Sequence, residues 1–291
     1  MLRLVLPKGS LERATLQLFE DADLAVVRSS EVDYRATIDD PRVADVTILR
    51  PQEIPRYVAD GLFDVGVTAR DWIEETGVEV ATLAQFHYSK ATARPTRIVL
   101  AVARDSQWQS AKDLPPGVRV HTEYPELTRR FLEKHGVDAQ ISLSYGATEA
   151  KIPEIADAVV DLTESGRALR AAGLRVLDTI LVSYTELIAN PASYADPDKR
   201  KAMEQLQTLL TGALEARGRV LVKLNVEAVN LEAVTALLPA LKSPTVSKLA
   251  GEDGYAVETV VSKHDINVLI PALKDAGATG IIELPISKIV Q

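Results

Sequence analysis

A short apolar segment that stops at an acid and then at a hydroxyl-glycine turn carries the strongest chemical signal in this chain. Residues 158–160 are typical of the end of a buried strand, residues 161–166 of a turn, and residues 167–172 of a helix that Gly173 can end. Backbone N–H groups at a helix start attract anions, because they carry the positive end of the helix dipole. The segment therefore predicts a binding site for a phosphate and a sugar.

Polar side chains in this turn could supply further contacts to such a ligand. Thr163 and Ser165 offer hydroxyl donors. The carboxylates of Asp161 and Glu164 could accept hydrogen bonds from two ribose hydroxyls or help to hold Mg²⁺. A strand, a polar turn and an N-capped helix would explain the same residues without a ligand, so the residues alone leave both interpretations open.

Three cations follow predicted strands in the first part of the chain. Lys8 follows residues 2–6, Arg50 follows residues 45–49, and Arg70 follows residues 64–67. In open α/β sheets, ligands bind outside the carboxyl ends of the strands. We therefore expect these three loops to contribute to a ligand site.

The elements that must position these loops form an α/β architecture. Short runs rich in Val, Leu and Ile alternate with helical patterns, which is typical of parallel sheets. We expect a first catalytic lobe over residues 1–93 and a second over residues 94–180. A strand over 181–189 and a helix over 198–217 would cross back to complete the first lobe, with a cleft between the lobes.

The last part, residues 218–291, has a different pattern. Its predicted order of strands and helices is βαββαβ, which is typical of a ferredoxin-like domain. No phosphate-type turn follows its strands. Such an added domain most simply supplies regulation or oligomerisation.

Composition restricts the class of protein. The 291 residues contain 46% hydrophobic residues, enough for real cores, and no cysteine, which excludes disulfides and thiolate chemistry. A formal net charge of −8 argues against nucleic acid or an anionic membrane as the main partner. The chain shows no separate basic leader and no apolar stretch of membrane-spanning length, so we expect a soluble, cytoplasmic enzyme.

Five short motifs resemble, in order, those of the ATP phosphoribosyltransferases of the long, histidine-regulated form. They are Leu6-Pro-Lys-Gly-Ser-Leu11, Leu49-Arg-Pro-Gln-Glu-Ile-Pro55 with Tyr57-Val58, Phe63-Asp-Val-Gly-Val-Thr-Ala-Arg-Asp71, Ala156-Asp-Ala-Val-Val-Asp-Leu-Thr-Glu-Ser-Gly166, and Leu241-Lys-Ser-Pro-Thr-Val246. The resemblance covers essentially the whole chain. It implies a two-lobed core similar to type II periplasmic binding proteins, followed by an ACT-like regulatory domain. It also implies a homo-oligomer, from dimer to hexamer.

The resemblance implies the first step of histidine biosynthesis, in which N1 of ATP displaces pyrophosphate from phosphoribosyl pyrophosphate. Lys8 and Arg50 would contact the pyrophosphate as catalytic residues. Mg²⁺ would be held mainly by substrate phosphates, with Asp161 or Glu164 as candidate ligands. The loop of Thr68, Ala69, Arg70 and Asp71 would line the ATP side. Phosphoribosyl pyrophosphate would be bound by Asp161, Leu162, Thr163, Glu164, Ser165, Gly166, Arg167 and Ala168.

Histidine feedback is the regulatory expectation, with AMP or ADP as further candidate competitors for the ATP site. The effector would bind between the C-terminal domains of neighbouring subunits, at Asn225, Leu241, Thr245 and Gly280. Three positions depart from the family pattern. Ala168 replaces a hydroxyl residue, Ser10 replaces an arginine, and Asn225 stands where an acid can occur.

Three alternatives stay open. A solute-binding protein would share the two-lobed cleft, and a silent regulatory subunit would share the scaffold. Prephenate dehydratase uses a Thr-Arg-Phe element, which Thr96-Arg97-Ile98 matches in part. Other conspicuous side chains have structural interpretations: Trp72 and Trp108 are expected to pack, and no metal-ligand spacing relates His87, His121, His135 and His264.

Overall fold

The computed structural model describes residues 1–86, 95–238, 243–251 and 253–290. The chain divides into two compact units, Met1–Gln207 and Thr208–Gln291. The division falls inside the long helix Pro197–Ala216, so the second half of this helix belongs to the C-terminal unit, whereas the sequence prediction assigned it to the first lobe.

The strands and helices of the first unit follow one another in an alternating order. The strands are β1 Leu2–Pro7, β2 Val26–Val27, β3 Arg35–Ile38, β4 Val43–Leu49, β5 Val65–Ala69, β6 Ala81–Phe86, β7 Thr96–Ala103, β8 Val118–Thr122, β9 Ala139–Leu143, β10 Ala158–Thr163, β11 Leu174–Ser183 and β12 Thr185–Ala189. The helices are α1 Glu12–Asp21, α2 Ile54–Ala59, α3 Arg70–Thr76, α4 Pro125–Lys134, α5 Arg167–Ala171, α6 Pro191–Ala195 and α7 Pro197–Ala216.

The first sheet has the strand order β2-β3-β4-β1-β5-β12-β6. Strand β1 pairs in parallel with β4 and β5, so the carboxyl ends of these three strands lie at one edge. Leu4, Val46 and Val67 are among the buried apolar residues of these strands. Gly66 of β5 allows a close approach, since an added Cβ would lie 2.8 Å from the Val5 side chain and 2.9 Å from that of Val58.

The second sheet has the order β11-β7-β10-β8-β9. Strand β7 is antiparallel to both β10 and β11, while β8 is parallel to β9 and β10. Alternate residues of β7 enter different cores: Ile98, Leu100 and Val102 pack on one face, and Val99 and Ala101 pack on the other. The sheet is thus buried on both faces along this strand.

Two predictions about these sheets are wrong. Both sheets are mixed rather than parallel, because β7, β11 and β12 run against their neighbours. The single strand predicted over 181–189 is two strands in different sheets, β11 ending at Ser183 and β12 starting at Thr185. Tyr184 joins them, and this is where the predicted return to the first lobe takes place. One apolar run can hide such a change, since both halves are buried extended backbone.

The C-terminal unit has the predicted βαββαβ order. Its elements are β13 Arg219–Glu227, α8 Leu231–Leu237, β14 Thr245–Lys248, β15 Gly254–Ser262, α9 Ile266–Asp275 and β16 Ala278–Pro285. The sheet order is β14-β15-β13-β16 and all pairs are antiparallel. Alternate residues of β13 pack in a core with residues of α8 and α9, which confirms the ferredoxin-like fold.

Candidate active site

Two cations lie next to each other at the carboxyl edge of the first sheet. Pro7 pairs with Leu49 at the ends of β1 and β4, so Lys8 and Arg50 leave the sheet side by side. The Nζ atom of Lys8 lies 4.2 Å from the centre of the Tyr34 ring, and the Arg50 guanidinium lies against Gly9. Within the described ranges, neither cation has a carboxylate partner, so both charges are available to an anionic ligand.

A cavity lies along the first turns of α1. This cavity of about 530 Å³ is lined by Ser10, Arg13, Ala14 and Gln17. The backbone N–H of Gly9 donates to Glu12 (3.0 Å), and Glu12 also pairs with Arg28. These contacts of Glu12 fix the loop before α1. Ser10, which stands where the family pattern has arginine, is exposed.

The predicted ATP-side loop, Thr68 to Asp71, is not a loop, because Thr68 and Ala69 end β5 and Arg70 and Asp71 begin α3 directly after it. Thr68 is buried and its hydroxyl donates to the carbonyl of Pro51 (2.9 Å). Arg70 is the exposed member of the four, and its guanidinium pairs with Glu74 (2.5 Å) and with the fully buried Glu186 (3.8 Å). Direct ligand contact from this segment therefore remains a prediction that fits Arg70 better than Thr68 or Asp71.

Asp71 occupies the junction of the two sheets. Its carboxyl group is 1% exposed, and its backbone N–H donates to the hydroxyl of Ser183, the last residue of β11. Burial raises the pKa of Asp71 to about 7, against the opposing effect of hydrogen bonds from the Trp72 backbone and from the Ser183 and Tyr124 hydroxyls. Sequence reasoning missed Ser183 and Tyr124, since neither belongs to a recognisable motif.

Contacts between helices α3 and α4 connect the two sheets near Asp71. The Glu75 carboxylate accepts hydrogen bonds from the backbone N–H groups of Glu126 (3.0 Å) and Leu127 (2.8 Å), at the start of α4. Trp72 packs on Tyr124 with ring centres 4.6 Å apart, and Arg130 reaches the Glu74 carbonyl. An acid at a helix N-terminus is stabilising, so α3 supplies the cap that α4 lacks in its own sequence.

The predicted phosphate turn follows β10 but is shorter than expected. Asp161, Leu162 and Thr163 belong to the strand, because they pair with Val99, Ile98 and Arg97 of β7. The turn itself is Glu164 to Gly166, and α5 begins at Arg167 and ends at Ala171, with Gly166 in the left-handed region at φ 71°. Antiparallel pairing with β7 prolongs the strand beyond what the apolar run indicates.

Hydroxyl groups organise this turn. The backbone N–H of Gly166 donates to the Thr163 hydroxyl (2.8 Å), and that of Arg167 lies 3.4 Å from the Ser165 hydroxyl. An added Cβ on Gly166 would lie 2.8 Å from the guanidinium of Arg170, which therefore covers the turn. Ala168 lies in α5 and brings no hydroxyl, as the sequence indicates.

Asp161 is the acid of this turn with the most distinctive surroundings. Its carboxyl is half-buried and accepts the backbone N–H of Leu162 (2.7 Å). Burial, together with the neighbouring carboxylates of Glu149 and Glu123, raises the pKa of Asp161 to about 6, against the opposing effect of the hydrogen bond from the Leu162 backbone. Asp161 is thus an acid that a ligand's hydroxyl groups or a cation would favour in its ionised form.

Trp72, Trp108 and His135 have structural roles. Trp72 and Trp108 pack against the core of the second sheet, and His135 ends α4, where its Nδ1 lies 2.8 Å from the Phe131 carbonyl. No group of three or more His, Asp or Glu side chains in the described ranges is arranged to hold a metal. His87 lies outside those ranges.

The predicted effector residues are only partly together. Asn225 and Gly280 are neighbours on β13 and β16, since an added Cβ on Gly280 would lie 3.8 Å from the Asn225 amide nitrogen. Gly280 has φ 54°, next to a register shift between these strands. Thr245 is exposed at the far edge of the sheet, on β14. Leu241 lies outside the described residues.

The fold defines a class of protein: an α/β core built on two mixed sheets, followed by a ferredoxin-like domain. Comparison with known proteins narrows the class. The ATP phosphoribosyltransferase family model matches residues 50–212, and the model of the C-terminal domain of the same family matches residues 216–288.

The sequence of this chain matches curated relatives over almost its full length. The chain is 46% identical to the ATP phosphoribosyltransferase of Pelotomaculum thermopropionicum and 47% identical to that of Desulforudis audaxviator, in each case over 99% of both chains. A solved structure from Thermotoga maritima, the ATP phosphoribosyl transferase (HisG:HisZ) complex, superposes with a TM-score of 0.61 at 26% identity, covering 72% of this chain and 99% of that one. This chain belongs to the ATP phosphoribosyltransferase family, the pentosyltransferases of histidine biosynthesis.

The structure also bears on the membrane question raised by the composition. Among the described helices, none combines the length and the hydropathy that a membrane span requires.

Proposed function

We propose that this chain transfers the phosphoribosyl group of phosphoribosyl pyrophosphate to N1 of ATP, with release of pyrophosphate, and that the reaction requires Mg²⁺. The observation that carries the proposal is the turn after β10, where a half-buried acid, two hydroxyl groups and a left-handed glycine adjoin. That combination suits a ribose with a 5′-phosphate better than an unphosphorylated solute.

The chemistry asks mainly for positioning and charge stabilisation. The lone pair of adenine N1 forms the bond to ribose C1 as the bond from C1 to the pyrophosphate oxygen breaks, so no protein nucleophile is needed. Positive charge develops on the ribose and negative charge on the leaving group. In this proposal Asp161 accepts hydrogen bonds from the ribose hydroxyls, and Lys8 and Arg50 receive the pyrophosphate.

The residues present fit a metal that arrives with the substrate. No ready-made protein cage exists within the described ranges, so the phosphates would hold most of the Mg²⁺, with Asp161 or Glu164 as the protein oxygen donors. When bound, Mg²⁺ supplies neutralising charge to the pyrophosphate oxygens.

The test is a direct assay. Purified protein is mixed with ATP, phosphoribosyl pyrophosphate and Mg²⁺, with pyrophosphatase to remove one product, and phosphoribosyl-ATP is followed by ultraviolet absorbance and by mass. Asp161→Asn should lower kcat/KM for phosphoribosyl pyrophosphate by about 100-fold or more, as expected for a group that acts in the transition state. Asp105→Asn, at an exposed turn of the same lobe, is the matched control. Folded wild-type protein that forms no product would contradict the proposal.

We also propose that histidine inhibits the enzyme through the C-terminal unit in a homo-oligomer as large as a hexamer. Support comes from the ACT-like fold, the exposed pair Asn225 and Gly280, and the matching C-terminal family model. Asn225→Ala should weaken histidine inhibition without changing activity in its absence. Asn267→Ala, exposed on α9, is the control. Inhibition of equal strength in both variants would exclude Asn225 from the effector site.

AMP and ADP are further proposed ligands, since each shares the adenosine portion of ATP. Competition with ATP in the same assay tests them.

A further inference from the structure

Arg97 lies beside the phosphate turn, although it belongs to none of the motifs that indicate the family. It is the second residue of β7, and the register places it directly opposite Thr163 of β10. On its other side it pairs with Val182 of β11. Directly opposed residues in antiparallel strands have Cβ atoms about 5 Å apart, so a guanidinium at this position can reach over the turn that Thr163 begins.

Strand alternation puts the Arg97 side chain on the face of the sheet that carries the turn. Val99 and Ala101 pack in one core with Val159 and with Leu169 of α5. Arg97 lies on the same face as Val99, two residues away, and Asp161 and Thr163 lie on the same face as Val159. The Arg97 side chain, the two polar residues of β10 and the helix after the turn therefore share one side of the sheet.

The Arg97 guanidinium has no acid to neutralise it. Within the described ranges it forms no ion pair or hydrogen bond, although the residue is half-buried. Asp161, on the same face, owes its raised pKa to burial and other carboxylates and is not paired with Arg97. A half-buried cation without a partner is costly unless something anionic joins it.

The turn offers a phosphate few free backbone donors. Helix α5 has five residues, so its dipole is short. One of its N-terminal donors, the Gly166 N–H, is already bonded to the Thr163 hydroxyl. The planar fork of an arginine can donate two parallel hydrogen bonds to one phosphate, which would supply the missing charge and orientation.

We infer that Arg97 binds the 5′-phosphate of phosphoribosyl pyrophosphate, an inference that rests on the proposed function. Arg170 is the competing cation, because its guanidinium covers Gly166. Arg97 is favoured, because a strand in the middle of a sheet holds it half-buried, whereas Arg170 is exposed on a short helix.

The experiment compares Arg97→Gln, Arg97→Lys and Arg170→Gln with the control Arg129→Gln. Arg129 is an exposed residue of α4 whose guanidinium pairs with Glu126. Each folded variant is assayed for KM of both substrates, and ribose 5-phosphate and pyrophosphate are titrated separately as competitors of phosphoribosyl pyrophosphate. Circular dichroism and melting temperature report whether the variants are folded.

Arg97→Gln should weaken ribose 5-phosphate binding and raise KM for phosphoribosyl pyrophosphate by about 10- to 100-fold, the value of a charge-assisted contact. Arg97→Lys should fall between it and the wild type, because it keeps the charge but loses the fork. Pyrophosphate inhibition and KM for ATP should be unchanged.

Three results would overturn the inference. Arg97→Gln could weaken pyrophosphate rather than ribose 5-phosphate, the loss could appear in Arg170→Gln alone, or all variants could match the control. Each presupposes an active wild-type enzyme, so failure of the inference is distinct from failure of the proposed function.

Discussion

The loops after β1 and β4 and the junction of β5 with α3 lie at the same edge of the first sheet, yet their charged side chains differ in whether they have protein partners. Lys8 and Arg50 extend from the first two without an acid partner in the described ranges. At the junction of β5 with α3, the Thr68 hydroxyl, the Arg70 guanidinium and the Asp71 carboxyl all have protein partners. Unpaired charge at a strand end is available to a ligand, whereas charge satisfied within the protein joins the two sheets.

The largest expected effect is a loss of activity on substitution of Lys8 or Arg50, two cations without an acid partner in the described ranges. Lys8→Gln and Arg50→Gln should each lower kcat/KM for phosphoribosyl pyrophosphate by about 100-fold, because each would remove the proposed charge-assisted contact to pyrophosphate, while the melting temperature stays unchanged. Arg56→Gln, exposed on α2, is the control. Full activity in both variants would remove the assignment.

The buried carboxyl group of Asp71 predicts that the free energy of unfolding depends on pH. Burial raises the pKa of Asp71 to about 7, while an unfolded chain has an ordinary value of about 4. Between these pH values the folded protein keeps a proton that the unfolded chain releases, so the free energy of unfolding falls as pH rises.

Asp71→Asn removes this titration. Its free energy of unfolding relative to the wild type should rise with pH in that window, by up to about 1.4 kcal/mol per pH unit. Urea unfolding at several pH values measures it, with Asp105→Asn as the exposed control. Parallel pH profiles of Asp71→Asn and the wild type would show that Asp71 titrates normally.

A smaller effect is expected at the partner of Asp71. Tyr124→Phe removes a hydroxyl that donates to a buried carboxyl, so the free energy of unfolding should fall by about 1 kcal/mol. Tyr194→Phe is the matched control, because its hydroxyl lies 3.4 Å from Glu204 at the surface. Equal stabilities of the two variants would argue against the buried contact.

The smallest effect is expected at the cap between the helices. Glu75→Gln keeps one acceptor for the start of α4 but loses the charge, which should cost about 0.5 kcal/mol. Glu133→Gln, exposed on the same helix, should cost nothing measurable in the same urea titration. A loss of equal size at both positions would show that the cap does not depend on charge.

Sequence patterns predicted much of this protein. The hydrophobic periodicity and the motifs indicated the two-lobed core, the C-terminal βαββαβ unit, the return to the first lobe and the family. They also indicated the turn with Ser165 and Gly166 that follows Thr163, because the turn is formed by residues that are neighbours in the sequence. The assignments of Lys8, Arg50, Asp161 and the effector residues remain predictions.

Tertiary structure alone decided the relations between distant strands. Antiparallel pairing of β7 with β10 extended the strand to Thr163 and brought Arg97 beside it, across 66 positions of the sequence. The split between β11 and β12, and the burial of Asp71 under Tyr124, depend in the same way on which elements meet. A periodic pattern records which face of an element is buried, but strand direction, register and the partner of a buried charge are set by packing between segments far apart in the chain.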